Sequence, residues 1–149
     1  MDELSHVEEG TGRVRMVDVG AKAESRRRAV ARATVRMAPG TAERLRDLPK
    51  GDALATAELA GVMAAKRTSE LIPLCHQLPL SVVRVTADVG DGAVEIVAEA
   101  QTVAQTGVEM EALVAASVAA LTVYDMAKAI DKEMVVEAVR LVEKTKEPA

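Results

Sequence analysis

Aromatic residues are almost absent from this sequence of 149 residues, which contains no Phe, no Trp and a single Tyr. Single-stranded nucleic acids usually stack their bases on aromatic side chains, so that platform is missing here. The net charge of −4 also argues against a general nucleic-acid binder, because such proteins are usually basic. Ala, Val, Leu and Met supply most of the 49% apolar content. We therefore predict one domain whose core packs small side chains closely.

Cysteine is nearly as scarce, since Cys75 is alone in the chain. One cysteine excludes an internal disulfide and favours a reducing compartment. The first residues lack the basic and then apolar pattern of a signal segment. The uncharged middle of the most apolar segment, 13 residues from Ala112 to Tyr124, falls short of the roughly 20 that cross a bilayer. We therefore expect a cytoplasmic protein with neither a membrane nor a nucleic acid as its partner.

Familiar nucleotide and metal signatures are missing as well. Gly51 and Gly61 do not belong to a Walker loop, and no GxGxxG run follows a predicted strand. Cys75 and His76 are adjacent, which is not the spacing of metal ligands, so we predict no metal site. Neighbouring residues of an extended loop point to opposite sides, so we do not expect this cysteine and histidine to activate each other.

Alternating polar and apolar residues predict the strands of a sheet. The alternation is clear in residues 27–37, 82–89 and 94–103, and the Val-rich residues 134–144 favour a fourth strand. Gly90-Asp91-Gly92 predicts a hairpin between the second and third strands.

Capping residues predict two helices between the first strand and the hairpin. Thr41 is expected to cap a helix over residues 42–48, and Asp52 to cap a second helix that ends near Thr68. With the long helix described next, the order of elements predicts an α+β fold, an antiparallel sheet with helices packed on one face.

The N-terminal residues follow no such pattern. Residues 1–12 are acidic and lack periodicity, so we predict a flexible tail there and a single domain over residues 13–149. Val14–Val19 is expected to form a short strand or an extended arm.

One long helix is predicted over Thr106–Ile130, with Thr106 and Glu109 forming a capping box. Its middle is apolar on every side, which predicts burial all round and further burial between the subunits of an oligomer. Charge is confined to its ends. Glu111 and Asp125 lie about 21 Å apart at 1.5 Å per residue. A single small pocket cannot easily use both carboxylates.

Clustered charges leave two interpretations open. The arginines at 26–28, with Lys66 and Arg67, suit a small polyanionic ligand or a solvated surface. Asp125 and Lys128, three residues apart on one helix, suit an acid–base pair or an exposed ion pair. The residues alone do not decide between them.

Six runs in a fixed order add a resemblance. They are MVDV at Met16, KGD at Lys50, AAKRT at Ala64, LIPLCH at Leu71, TGVEMEAL at Thr106 and SVAALTVYDMAKA at Ser117. Together they resemble the cyclic pyranopterin monophosphate synthase family, the C protein of molybdenum cofactor biosynthesis. The resemblance covers roughly residues 14–144 of the chain.

The resemblance implies a ferredoxin-like fold, assembled as a hexamer from dimers. It implies a lyase that converts a cyclised dihydro-GTP precursor into cyclic pyranopterin monophosphate and releases pyrophosphate. A radical S-adenosylmethionine enzyme would supply that precursor. No cofactor is required, although a divalent cation can accompany the triphosphate. The rival functions are a nucleotide hydrolase or cyclase, and a non-catalytic nucleotide-binding sensor.

The resemblance also implies roles for individual residues. Asp125 would be the principal acid–base residue with Lys128 as its partner, and we add Lys50 to the proton transfers. Lys66, His76 and Arg27 are assigned to the phosphates. The remaining predicted substrate contacts are Leu74, Cys75, Met110, Glu111 and Glu109.

Two positions complicate this assignment. Many relatives carry Lys where this chain has Gln105. If that Lys contacts a phosphate, the affinity of this chain should fall or another cation must compensate. Arg26 and Arg28 flank Arg27, which leaves open which arginine faces the ligand. To use both ends of the long helix, we predict a composite site in which the Glu111 end of one subunit meets the Asp125 end of its neighbour.

Overall fold

Four long antiparallel strands form the sheet of the protein. The computed structural model describes residues 7–8 and 10–149, so the flexible tail predicted at 1–12 lies mostly outside the described residues. The strands lie in the spatial order β2-β3-β1-β4. Their bounds are β1 Ser25–Arg36, β2 Leu80–Gly90, β3 Ala93–Ala104 and β4 Val135–Pro148.

The helices connect the strands and pack on one face of the sheet. Three of them, α1 Pro39–Ala42, α2 Ala53–Lys66 and α3 Thr68–Leu71, join β1 to β2. The fourth, α4 Glu109–Ala127, joins β3 to β4. With this strand order the fold is ferredoxin-like α+β, which confirms the prediction.

Small residues make the packing between helices and sheet close. Ala29 and Ala31 of β1 lie opposite Ala100 and Ala98 of β3, and all four are almost fully buried. A Cβ built on Gly61 of α2 would lie 3.0 Å from the Ala115 carbonyl oxygen of α4. The core without Phe or Trp is therefore filled by backbone and small side chains at short distances.

Two local signals in the sequence are confirmed. The Asp52 carboxylate accepts hydrogen bonds from the amides of Leu54 and Ala55, at 2.9 and 3.1 Å, and so caps α2. The hairpin between β2 and β3 turns at Gly92, whose φ of 65° is in the left-handed region.

The helix predicted over residues 42–48 is wrong, because α1 begins at Pro39. Proline suits the first turn of a helix, where its missing N–H would have no partner. Thr41 lies inside this helix, and its hydroxyl donates to Asp131 Oδ2 at 2.9 Å. This partner is a carboxylate 90 residues further along the chain, which local sequence cannot indicate.

The capping box predicted at Thr106 is also wrong. Helix α4 begins at Glu109, and its N-cap residue is Val108, whose side chain makes no capping hydrogen bond. The Glu109 carboxylate instead pairs with Lys144 Nζ at 2.7 Å. An ion pair with the sheet has therefore replaced the local contact on which the capping box depends.

Helix α4 is largely buried, but not on every side. Ten of its residues are buried, whereas Leu121 is 58% exposed in the monomer. Its length and hydropathy would suit a membrane-spanning segment, although core helices pass the same test. Because α4 packs against α2 and the sheet, we interpret it as a core helix. The predicted burial between subunits stays a prediction.

Candidate functional site

Three adjoining clefts surround His76 near the start of α4. Their volumes are about 350, 170 and 190 Å³. The first is lined by the six predicted substrate residues Leu74, Cys75, His76, Glu109, Met110 and Glu111. Lys66 lines the second, together with His76 and Glu111. The structure thus brings together seven of the predicted residues.

His76 is held by the segment that precedes β1. Its Nε2 lies 2.7 Å from the Val17 carbonyl oxygen. Because a carbonyl only accepts, Nε2 carries the proton in this contact. Val17 and Val19 line the first cleft, so Val14–Val19 is an extended arm along the site rather than a strand.

The two carboxylates at the start of α4 have pKa values that are shifted in opposite directions. Glu111 is only 4% exposed, and burial, with the charge of Glu109, raises its pKa. Burial acts to raise the pKa of Glu109 too, but hydrogen bonds from Lys144 and its own backbone amide outweigh it, so the pKa is lowered. One carboxyl group is therefore biased toward the neutral acid and the other toward the anion.

Cys75 is set up as a thiol rather than as a nucleophile. Burial raises its pKa, and the charges of Glu111 and Glu109 raise it further. Cys75 and His76 both line the first cleft, and that their side chains point to opposite sides stays a prediction. A turn precedes this pair, with the Cys75 amide donating to the Ile72 carbonyl at 3.1 Å.

Arg27 is the arginine on the helix-covered face of the sheet. It alternates in phase with buried Ala29, and Thr102 of β3 lies opposite it. Arg28 points to the other face, where it pairs with Glu99 and Glu143 at 2.8 and 2.7 Å. Arg27 is therefore the member of the arginine run on the side of α4, and its charge helps to lower the pKa of Glu109.

Two cations at the site were missed by the sequence analysis. Lys144 of β4 pairs with Glu109, and Lys22 of the arm lines the first cleft. Neither has a local signal, since β4 is exposed along most of its length and Lys22 lies in irregular backbone. Gln105 lines the third cleft, and its amide donates to the Gly20 carbonyl at 3.3 Å. That a cation compensates for Gln105 stays a prediction.

The three predicted proton-transfer residues form a separate group at the other end of α4. Asp125 pairs with Lys128 at 2.8 Å and with Lys50 at 2.9 Å. All three side chains are about half exposed. Hydrogen bonds from Lys128, then from Lys50, lower the pKa of Asp125 to about 2, and Asp125 in turn raises the pKa of Lys128. None of the three lines the clefts around His76.

Within 7–8 and 10–149, no group of three or more His, Cys, Asp or Glu side chains is placed to hold a metal ion. A divalent cation bound to a triphosphate would be part of the substrate.

The buried carboxyl of Glu111 predicts a pH-dependent cost to stability. A raised folded-state pKa means that the folded protein holds this proton more tightly, so stability falls as pH rises through the ordinary Glu pKa toward the raised value. We expect Glu111→Gln to unfold at a higher temperature than the wild type at about pH 7, with the difference lost near pH 4. Thermal unfolding at both pH values measures this.

Glu109→Gln is the matched control on the same helix. Because the pKa of Glu109 is lowered, its contribution to stability is present above the ordinary Glu pKa and is lost as pH falls. The control should therefore unfold at a lower temperature than the wild type at neutral pH. A Glu111→Gln variant that is destabilised at neutral pH as well would contradict the assignment of Glu111 as a strained buried acid.

Comparison with known proteins covers nearly the whole chain. Residues 16–147 match the model of the MoaC family. A protein of Roseiflexus sp. (strain RS-1), named cyclic pyranopterin monophosphate synthase, is 60% identical over 97% of this chain and 94% of its own length. Proteins with the same name from Roseiflexus castenholzii and Novosphingobium aromaticivorans are 58% and 57% identical, over 97% of this chain and 94% and 92% of their own lengths.

Proposed function

Because the chain belongs to the MoaC family, we propose that it is a cyclic pyranopterin monophosphate synthase, a lyase of molybdenum cofactor biosynthesis. Its proposed substrate is the cyclised dihydro-GTP precursor, and its second product is pyrophosphate. The observation that carries the proposal is the family match over residues 16–147. The cleft at the start of α4 adds a place where a nucleotide-derived ligand can meet both apolar walls and charge.

Formation of the cyclic phosphate determines what the cleft must provide. A ribose hydroxyl attacks the phosphorus nearest the ribose, and the bond from that phosphorus to pyrophosphate breaks. The leaving pyrophosphate gains negative charge, which fixed cations can stabilise. We assign Lys66, His76 and Arg27 to this task. His76 already has Nε2 protonated toward Val17, so the same N–H can donate to a phosphate oxygen that replaces the carbonyl.

Rearrangement of the base requires proton transfers instead. Opening the purine ring and closing the pterin ring move protons between nitrogen, carbon and oxygen atoms. We assign these steps to Asp125, Lys128 and Lys50, which are within hydrogen-bond distance of each other. Leu74 and Met110 provide apolar contacts to the ring system in the cleft.

We further propose that the active unit is a hexamer built as a trimer of dimers, with each site at a subunit interface. The support is that the clefts and the Asp125 group lie at opposite ends of α4. Exposed Leu59, Met63 and Leu121 are apolar surface that a second subunit could cover. The family resemblance supports a radical S-adenosylmethionine enzyme as supplier of the precursor and a cytoplasmic location.

The proposed activity predicts a specific pair of products. Incubating the purified protein with freshly prepared cyclised precursor should yield cyclic pyranopterin monophosphate and pyrophosphate in equal amounts, measured by mass spectrometry. Plain GTP should yield neither. Turnover of plain GTP would favour a hydrolase or cyclase. Binding of the precursor without product would favour a nucleotide sensor.

A further inference from the structure

A single carboxylate after α4 connects two separate segments of the chain. Asp131 Oδ2 accepts hydrogen bonds from the Ala38 amide at 3.0 Å and from the Thr41 hydroxyl at 2.9 Å. Its backbone amide donates to the Ala127 carbonyl at 3.2 Å, at the C-terminal end of α4. The backbone of Asp131 is therefore hydrogen-bonded to the end of α4, and its side chain to the start of α1.

The segment that follows α1 contains Lys50 and is held by backbone hydrogen bonds. Leu45 is buried, and its carbonyl accepts from the Ala53 amide at the start of α2, at 2.7 Å. Leu48 and Gly51 exchange two backbone hydrogen bonds, at 3.2 and 2.9 Å, and so close a tight turn around Lys50. The position of this turn thus depends on how α1 and the loop after it are held.

Lys50 in this turn pairs with Asp125, which lies in the last turn of α4. The contacts run from the end of α4 to Asp131, from Asp131 to α1, and from the turn after α1 back to α4. An exposed pair of long side chains has little ability to hold its own geometry. The start of α1, with the buried Thr41, can hold the geometry of this ion pair instead, because a movement of α1 would break its hydrogen bonds to Asp131.

We propose that Asp131 is a positioning residue that fixes the turn bearing Lys50 relative to Asp125 and Lys128. This inference rests on the proposed function, because the precise placement of Lys50 matters only for proton transfer. Small displacements of reacting groups have large effects on rate. Substrate binding should be little affected, because the clefts proposed to bind the substrate lie at the other end of α4. Loss of the Asp131 contacts should therefore act on kcat rather than on KM.

Two substitutions test the contacts one at a time. Asp131→Asn weakens the charged acceptor, and we expect kcat for the cyclised precursor to fall about tenfold with KM changed by less than about twofold. Thr41→Val removes only the hydroxyl from a buried side chain and should reduce kcat by a smaller factor. Thr41→Ser keeps the hydroxyl and should restore the wild-type kcat.

Glu58→Gln is the matched control. Glu58 of α2 likewise ties two elements together, since its carboxylate accepts from the Ala87 amide of β2 at 3.0 Å. We expect Glu58→Gln and Asp131→Asn to lower the unfolding temperature alike, while only Asp131→Asn lowers kcat.

Three results would overturn the inference. They are an unchanged kcat in Asp131→Asn, an equal loss of kcat in Glu58→Gln, and equal activities of Thr41→Val and Thr41→Ser. In each case an active wild type leaves the proposed function intact. A wild type that makes no product would defeat the proposed function itself, and the inference with it.

Discussion

Replacing Asp125 by Asn should lower kcat for the cyclised precursor by about 10²–10⁴-fold, while the variant keeps its oligomeric state and still binds the precursor. The carboxamide cannot take up a proton, and it no longer attracts the ammonium groups of Lys50 and Lys128. Rates come from single-turnover mass spectrometry, and binding comes from calorimetry.

The ionisation of Asp125 explains why activity and stability should separate. Its pKa of about 2 lies below the unfolded value, so its contribution to stability is present above about pH 4 and is lost as pH falls toward 2. Because the Asp125 side chain is about half exposed, solvent screens that contribution, and we expect little change in unfolding temperature at neutral pH. A large loss of rate without a loss of stability is the signature of a residue that acts on the substrate.

The same ion pairs limit what Asp125 can do before substrate arrives. A carboxylate held by two ammonium groups is a weak base, and Lys128 with a raised pKa is a weak acid. Under the proposed roles, proton transfer therefore requires one lysine to move away from Asp125 when the substrate binds.

Asp88→Asn provides the control for the Asp125 variant. Asp88 is exposed on the sheet face opposite the helices, so its replacement should leave kcat at the wild-type level. Wild-type activity in Asp125→Asn would return Asp125 to its structural interpretation as an exposed ion pair.

Local patterns in the sequence sufficed for most of the fold. The alternation in β1 and the Asp52 cap depend on residues close together in the chain, and both were predicted correctly. The start of α1 is hydrogen-bonded to Asp131, and the Glu109 carboxylate at the start of α4 is paired with Lys144. These partners are far apart in sequence and meet only through the sheet topology, so local reasoning placed both helix starts wrongly.

The candidate site was predictable from residue types only in part. The six quoted runs supplied the residues around His76, but Lys22 belongs to no helix or strand whose period could place it. The choice among three arginines needed the strand register, which puts Arg27 opposite Thr102, and the ion pairs of Arg28 with Glu99 and Glu143.

Helix α4 connects the clefts around His76 with the Asp125 group. Glu111 faces the clefts at one end and Asp125 holds the lysines at the other, about 21 Å away along the axis. One ligand of nucleotide size cannot reach both ends within one chain. A two-fold symmetric dimer can place the Glu111 end of one copy beside the Asp125 end of its partner, and so build two complete sites.

This arrangement predicts complementation between two inactive variants. Asp125→Asn and Glu111→Gln should each lose activity alone. Mixed in equal amounts and allowed to exchange subunits, half of the dimers are mixed, and each of these has one intact site. About a quarter of the wild-type activity should therefore return. Native mass spectrometry of the two variants, one of them isotopically labelled, establishes that exchange has occurred.

The result distinguishes the two possible architectures because a site within one chain behaves differently. If Glu111 and Asp125 of the same chain served the same site, every subunit in the mixture would carry one defect, and no mixture could exceed the activity of its parents. Exchanged subunits without recovered activity would therefore place each site within one chain, and α4 would be a core helix alone. Recovery to about a quarter would make α4 a spacer between two sites, with its Ala-rich middle setting their separation.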